Sequence, residues 1–85
     1  MADILIADDN IVVTMELEEL LPSIGYKVAG VAHSGRQSVD LAREIRPDLV
    51  LMDIIMPGEM DGIAAAEILK TELDIPVIFI QIRRD

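Results

Sequence analysis

Three aspartates close two apolar runs in this chain. Asp8 and Asp9 follow Ile4-Leu5-Ile6-Ala7, and Asp53 follows Leu49-Val50-Leu51-Met52. A run of four apolar residues suits a strand buried on both faces. In an open α/β sheet, chemistry collects at the carboxyl ends of such strands. If the two strands are neighbours, the three carboxylates share one pocket. Like charges held a few ångströms apart raise each other's pKa unless a cation compensates them. Hard oxygen ligands with room for retained water suit Mg²⁺. A carboxylate at such a site can also attack a phosphoryl group, with the metal neutralising the phosphoryl oxygens in the transition state. Each piece has an ordinary use as well. Asp8-Asp9-Asn10 before a helix is a capping sequence, and an acid at a strand end before a turn is a common surface residue. The joint pattern, with Pro57-Gly58 just beyond Asp53, is what points to a site.

The elements that must position these acids are readable in order. Ile4–Ala7 is a buried strand. A helix follows Asn10, with Val13, Leu17, Leu20, Leu21 and Ile24 on its inner face and Gly25 as its C-cap. Residues 26–32 form a second strand of mixed polarity, as at a sheet edge. Ser34 with Gln37 three residues on resembles a capping box and opens a second helix running to about Arg46, with Val39, Ala42 and Ile45 inward. Pro47 breaks it before the strand that ends at Asp53. Residues 56–62 are a turn-rich loop in which Gly58 and Gly62 permit turn geometry and Glu59 and Asp61 are solvated acids. A third helix spans about Gly62 to Leu73 with an apolar face of Ile63, Ala65, Ala66, Ile68 and Leu69. Val77–Ile80 is the fourth strand. Strands alternating with helices imply a parallel sheet with right-handed crossovers and helices on both faces. Met52, Met56 and Met60 read as packing residues around the site, and His33, the one histidine, as a loop residue.

Composition narrows the partners. The chain has 85 residues, one domain's worth, with no Cys and therefore no disulfide or thiolate site. Its 16 acidic and 7 basic residues give a net charge of −9, which argues against a nucleic-acid surface and fits a divalent cation or a basic protein partner. Hydrophobic residues make up 52% with only one Phe, one Tyr and no Trp, so the core is aliphatic and some apolar surface is expected at an interface. No signal peptide or membrane-length segment is visible, and a cytoplasmic protein with no membrane partner is the expectation.

In Ile4-Leu5-Ile6-Ala7-Asp8-Asp9-Asn10, Leu49 to Ile54, Met56-Pro57-Gly58, Met60-Asp61-Gly62 and Ile75 to Ile80, the sequence resembles a receiver domain of the two-component response regulators. The resemblance implies a flavodoxin-like α/β three-layer fold. Residues 1–85 would be a single truncated receiver domain, with four parallel strands in the order 2-1-3-4 of a five-stranded family sheet. It implies that Asp53 accepts a phosphoryl group from a sensor histidine kinase. Asp9 would bind Mg²⁺ directly, Asp8 through water, and the backbone carbonyl of Ile55 would be a further ligand. Any enzymatic activity would be self-phosphorylation and autodephosphorylation at the aspartate. Two departures stand out. Gln81 occupies the place of the family's Thr or Ser after the fourth strand. The sequence also has no counterpart of the fourth helix, the fifth strand with its Lys, or the fifth helix; Arg83 and Arg84 are the nearest basic residues.

An uncovered fourth strand carries an apolar, charge-free edge from Val77 to Ile80, and such an edge invites pairing. A homodimer through that edge, or through an uncovered sheet face, is therefore expected. The competing functions are a phospho-accepting receiver and a degenerate receiver that acts as a dimerising or protein-binding module.

Overall fold

The computed structural model describes residues 2–81. It contains β1 (Asp3–Ala7), α1 (Ile11–Ser23), β2 (Lys27–Ala32), α2 (Gly35–Ile45), β3 (Leu49–Asp53), α3 (Gly62–Glu72) and β4 (Val77–Ile80). The four strands form one parallel sheet in the order β2-β1-β3-β4. The alternation of side chains along a strand sorts the core into two halves. Leu5, Ala7, Val50 and Met52 meet Val39 and Ala42 of α2 and Ala65 and Leu69 of α3. On the opposite face Ile4 and Ile6 meet Leu17 and Leu21 of α1.

Each helix start is closed by a side chain. Asn10 Oδ1 accepts from the Val13 N–H at 3.1 Å, Ser34 Oγ from the Gln37 N–H at 3.1 Å, and Asp61 Oδ1 from the Ala64 N–H at 2.9 Å. Asp61 is thus the N-cap of α3 rather than a merely solvated acid, since its position one residue before the helix satisfies an otherwise unpaired amide. The Ser34–Gln37 pair forms only half of a capping box, because Gln37 Oε1 accepts from the N–H of His33, one residue before the cap, at 2.7 Å. Gly25 lies just past the cap residue Ile24 with φ +95°, which is the left-handed conformation that ends α1.

Several burial expectations change. On α1 the stripe is Val13, Thr14, Leu17 and Leu21, while Leu20 and Ile24 are exposed. Leu20 falls on the flank of the helix, and Ile24 lies beyond its last turn. Ile63 of α3 is also exposed, because Ala65, Ala66 and Leu69 form the contact face. Helices do not close both faces equally. Val50 and Met52 of β3 are buried under α2 and α3, whereas Leu49 and Leu51 on the α1 side are only partly buried. On β4, Ile78 is 52% and Phe79 44% exposed. Among the described residues α1 alone covers its face, and it packs on β1 and β2. Met52 and Met56 are buried and Met60 packs against the same core, as expected of gap-filling residues. Arg83 and Arg84 lie outside the described residues.

Candidate functional site

The register of the sheet brings the acids together. Ala7 of β1 sits opposite Met52 of β3, so the residues that follow, Asp8 and Asp53, leave the same rim side by side. One carboxylate oxygen from each of Asp8, Asp9 and Asp53 lies within 4.8 Å of the others. Capping duty falls on Asn10 and not on either acid before it. Asp8 is buried, and its Oδ1 accepts from the Asn10 N–H at 2.8 Å. Asp9 is exposed and Asp53 half-buried. The ordinary capping use of Asp8-Asp9 is therefore only partly realised, and all three acids line an open cavity.

That cavity measures about 240 Å³ and is lined by Asp8, Asp9, Asn10, Val13, Asp53, Ile55 and Gln81. All five residues singled out from sequence line it: Asp8, Asp9, Asp53, Ile55 and Gln81. Asn10, a capping residue in the sequence pattern, and Val13, on the apolar face of the first helix, complete the wall. Their place in the wall follows from α1 starting directly beneath the β1 rim. Burial pushes the Asp53 carboxyl above the usual aspartate value, with the charges of Asp8 and Asp9 adding to it and the backbone N–H groups of Ile55 and Ile54 opposing. Among the described residues one ion pair occurs, Arg43 with Glu72 at 3.2 Å, and it joins α2 to α3 away from the acids. Among the described residues no basic side chain forms an ion pair with the three acids. Three hard oxygen donors with an open side fit a divalent cation.

The loop after β3 is held by two close approaches. Gly62 N–H donates to the Ile54 carbonyl at 2.9 Å, and a β-carbon on Gly62 would collide with the Asp53 carbonyl oxygen. A β-carbon on Gly35 would collide with the Met60 carbonyl oxygen. Gly58 takes the turn conformation expected of it, with φ +97°, but Gly62 is needed for proximity rather than for its own φ. His33 is exposed, and its Nδ1 lies 3.1 Å from the Asp8 carbonyl oxygen. No local pattern in the sequence announces that contact, since it joins residues on separate strands.

A parallel 2-1-3-4 sheet with an acid pocket at the carboxyl rim of its two central strands defines an α/β domain whose acid cluster is capable of coordinating a divalent cation. The chain belongs to the response regulator receiver domain family, whose model matches residues 4–85. It is 43% identical over 76 residues to the chemotaxis protein CheY of Thermotoga maritima, covering 88% of this chain and 62% of that protein. It is 40% identical over 75 residues to the transcriptional regulatory protein PdtaR of Mycobacterium tuberculosis, covering 88% of this chain and 36% of that one. The structure superposes with a TM-score of 0.91 and 35% identity on the signal receiver domain of a modulated diguanylate cyclase from Desulfovibrio desulfuricans G20, covering all of this chain and 68% of that one. The chain therefore spans about three fifths or less of the two curated relatives named. No helix among the described residues is long and apolar enough to cross a membrane.

Proposed function

We propose that this chain is a phosphoryl acceptor in two-component signalling, modified at Asp53 by a sensor histidine kinase. The observation that carries this reading is the convergence of the Asp8, Asp9 and Asp53 carboxylates within 4.8 Å at the rim of two neighbouring strands. Asp8, Asp9, Asp53 and the backbone carbonyl of Ile55 are the residues that would hold Mg²⁺. Bound there, the cation supplies the positive charge that stabilises the phosphoryl oxygens in the transition state. Asp53 is the nucleophile. Its carboxylate oxygen forms the new bond to phosphorus as the bond to the donor nitrogen breaks. Burial leaves this carboxylate less well solvated and so a better nucleophile than an ordinary surface aspartate. Gln81, which lines the cavity, would donate from its side-chain amide to a phosphoryl oxygen. A water admitted through the open side of the cavity would return the aspartate by hydrolysis.

The test is incubation of the chain with acetyl phosphate and Mg²⁺, read by intact mass. A gain of one phosphoryl group that is lost in Asp53→Ala supports the reading, and an unmodified wild-type chain overturns it.

A second reading, a dimerising module without phosphotransfer, is favoured by Gln81 and by the exposed Ile78 and Phe79 on β4. In the described residues β4 pairs only with β3, leaving its outer edge free. We propose that the 85-residue chain forms a homodimer in which two β4 edges pair antiparallel about a two-fold axis. Sedimentation as a monomer at micromolar concentration overturns that arrangement.

A further inference from the structure

We propose that His33 is a positioning residue for the acid pocket, its ring holding the peptide that joins Asp8 to Asp9. In a parallel ladder one residue's N–H and C=O bond to the two residues flanking its partner on the next strand. Asp8 N–H donates to the Ala32 carbonyl at 3.0 Å. The matching bond to the Asp8 carbonyl would come from the N–H of Ser34. There the chain has already turned from β2 to cap α2. The His33 side chain reaches that carbonyl instead, with Nδ1 at 3.1 Å. A carbonyl oxygen only accepts, so this bond requires a proton on Nδ1. The backbone of His33 is itself held, its N–H donating to Gln37 Oε1 at 2.7 Å. A chain of bonds thus runs from α2 through His33 to the end of β1.

The Asp8 carbonyl and the Asp9 N–H share one rigid peptide plane. Fixing the carbonyl fixes the direction in which the chain leaves Asp8 and enters Asp9, and so the relative aim of the two side chains. Asp8 has a second restraint in its bond to the Asn10 N–H. Among the described residues no hydrogen bond holds the Asp9 carboxylate, so its placement depends on the backbone alone. His33 itself is exposed, and removing its ring empties no core.

This inference rests on the acid cluster holding a divalent cation. It is tested by titrating the ¹⁵N-labelled chain with MgCl₂ and following amide shifts at the pocket, for wild type, His33→Ala and His33→Asn. The Asn amide nitrogen stands close to where Nδ1 stands and can donate the same bond. Loss of one hydrogen bond predicts that His33→Ala binds Mg²⁺ about three- to tenfold more weakly, while His33→Asn returns to within about twofold of wild type. The imidazole nitrogens of wild type should report the Nδ1–H tautomer. Equal affinity in His33→Ala, an Asn variant as weak as the Ala variant, or the Nε2–H tautomer overturns the inference while leaving the pocket reading intact. A wild-type chain that shows no Mg²⁺-dependent shifts overturns both.

Discussion

Gly62 is pressed against the backbone of Asp53. Its N–H donates to the next carbonyl, that of Ile54, at 2.9 Å, and a side chain at 62 would occupy the space of the Asp53 carbonyl oxygen. The first turn of α3 is thereby docked directly on the strand end that delivers the acid. The start of the helix is thus tied by backbone contact to the strand end that carries Asp53.

Gly62→Ala should therefore damage stability and site together. The methyl group meets backbone atoms, which cannot rotate away as a side-chain end can. The expected loss is about 1–3 kcal/mol, the usual cost of overpacking, measured by urea unfolding. Phosphorylation by acetyl phosphate should fall with it under conditions where the variant is still folded, because Asp53 must shift to admit the methyl. Gly58→Ala serves as the comparison. No atom obstructs a β-carbon there, but φ is +97°, so its cost is local backbone strain in the loop.

Asp61→Ala separates capping from chemistry. The carboxylate accepts from the Ala64 N–H at 2.9 Å and lies outside the acid cavity. Loss of an N-cap costs about 1 kcal/mol, which for a domain of this size lowers Tm by about 4–8 °C. Calorimetry should show that loss, and the phosphorylated fraction at a temperature well below Tm should be unchanged. A solvated loop acid would have given no change in either.

The elements were legible because each rests on local chemistry. Hydrophobic runs of four, the Ser34–Gln37 spacing, and the Pro and Gly punctuation place every strand and helix to within a residue or two. The acid pocket was legible for a different reason. Three aspartates at strand ends are a pattern of position, and the parallel sheet turns position into proximity. What escaped depends on partners distant in sequence. Gly62 reads as a turn residue until Asp53 is seen behind it. His33 reads as a loop residue until β1 is seen beside β2. Leu20 is exposed because it sits on the flank of the buried stripe, and Ile24 because α1 ends before it, a boundary that the apolar period alone does not reveal.

Under the proposed function, Gln81 would set the strength of the phosphoryl half of the site. It lines the cavity with the acids and carries an amide where a hydroxyl is expected. Gln81→Ala removes a donor to a charged oxygen, and the rate of phosphorylation by acetyl phosphate should fall about tenfold or more. Gln81→Thr should exceed wild type, because a hydroxyl on a short, β-branched side chain is better fixed than a long amide. Rapid-quench intact mass measures both. Mg²⁺ affinity should be the same in all three chains, since the amide is not among the cation's ligands.

Asp53 also makes stability depend on pH with opposite signs in the two metal states. Its carboxyl is pushed above the usual aspartate value by burial first, then by Asp8 and Asp9. A group whose pKa is raised on folding binds its proton more tightly in the native chain. Its favourable contribution is complete below the unfolded value and is lost as pH rises through the native one. Without divalent cation, wild type should therefore lose Tm relative to Asp53→Asn as pH climbs out of the ordinary carboxylate range, and remain the less stable of the two at neutral pH. Saturating Mg²⁺ binds the ionised native pocket and should reverse that order, by an amount that grows with the ratio of cation concentration to Kd. Lowering pH should then undo the gain, because the proton competes with the cation for the same oxygens. Thermal melts of both chains across mildly acidic to neutral pH, in EDTA and in MgCl₂, measure the four curves. Wild type less stable than Asp53→Asn in both buffers would mean that the metal does not relieve the site, and wild type more stable in both would mean that its neighbours do not strain Asp53.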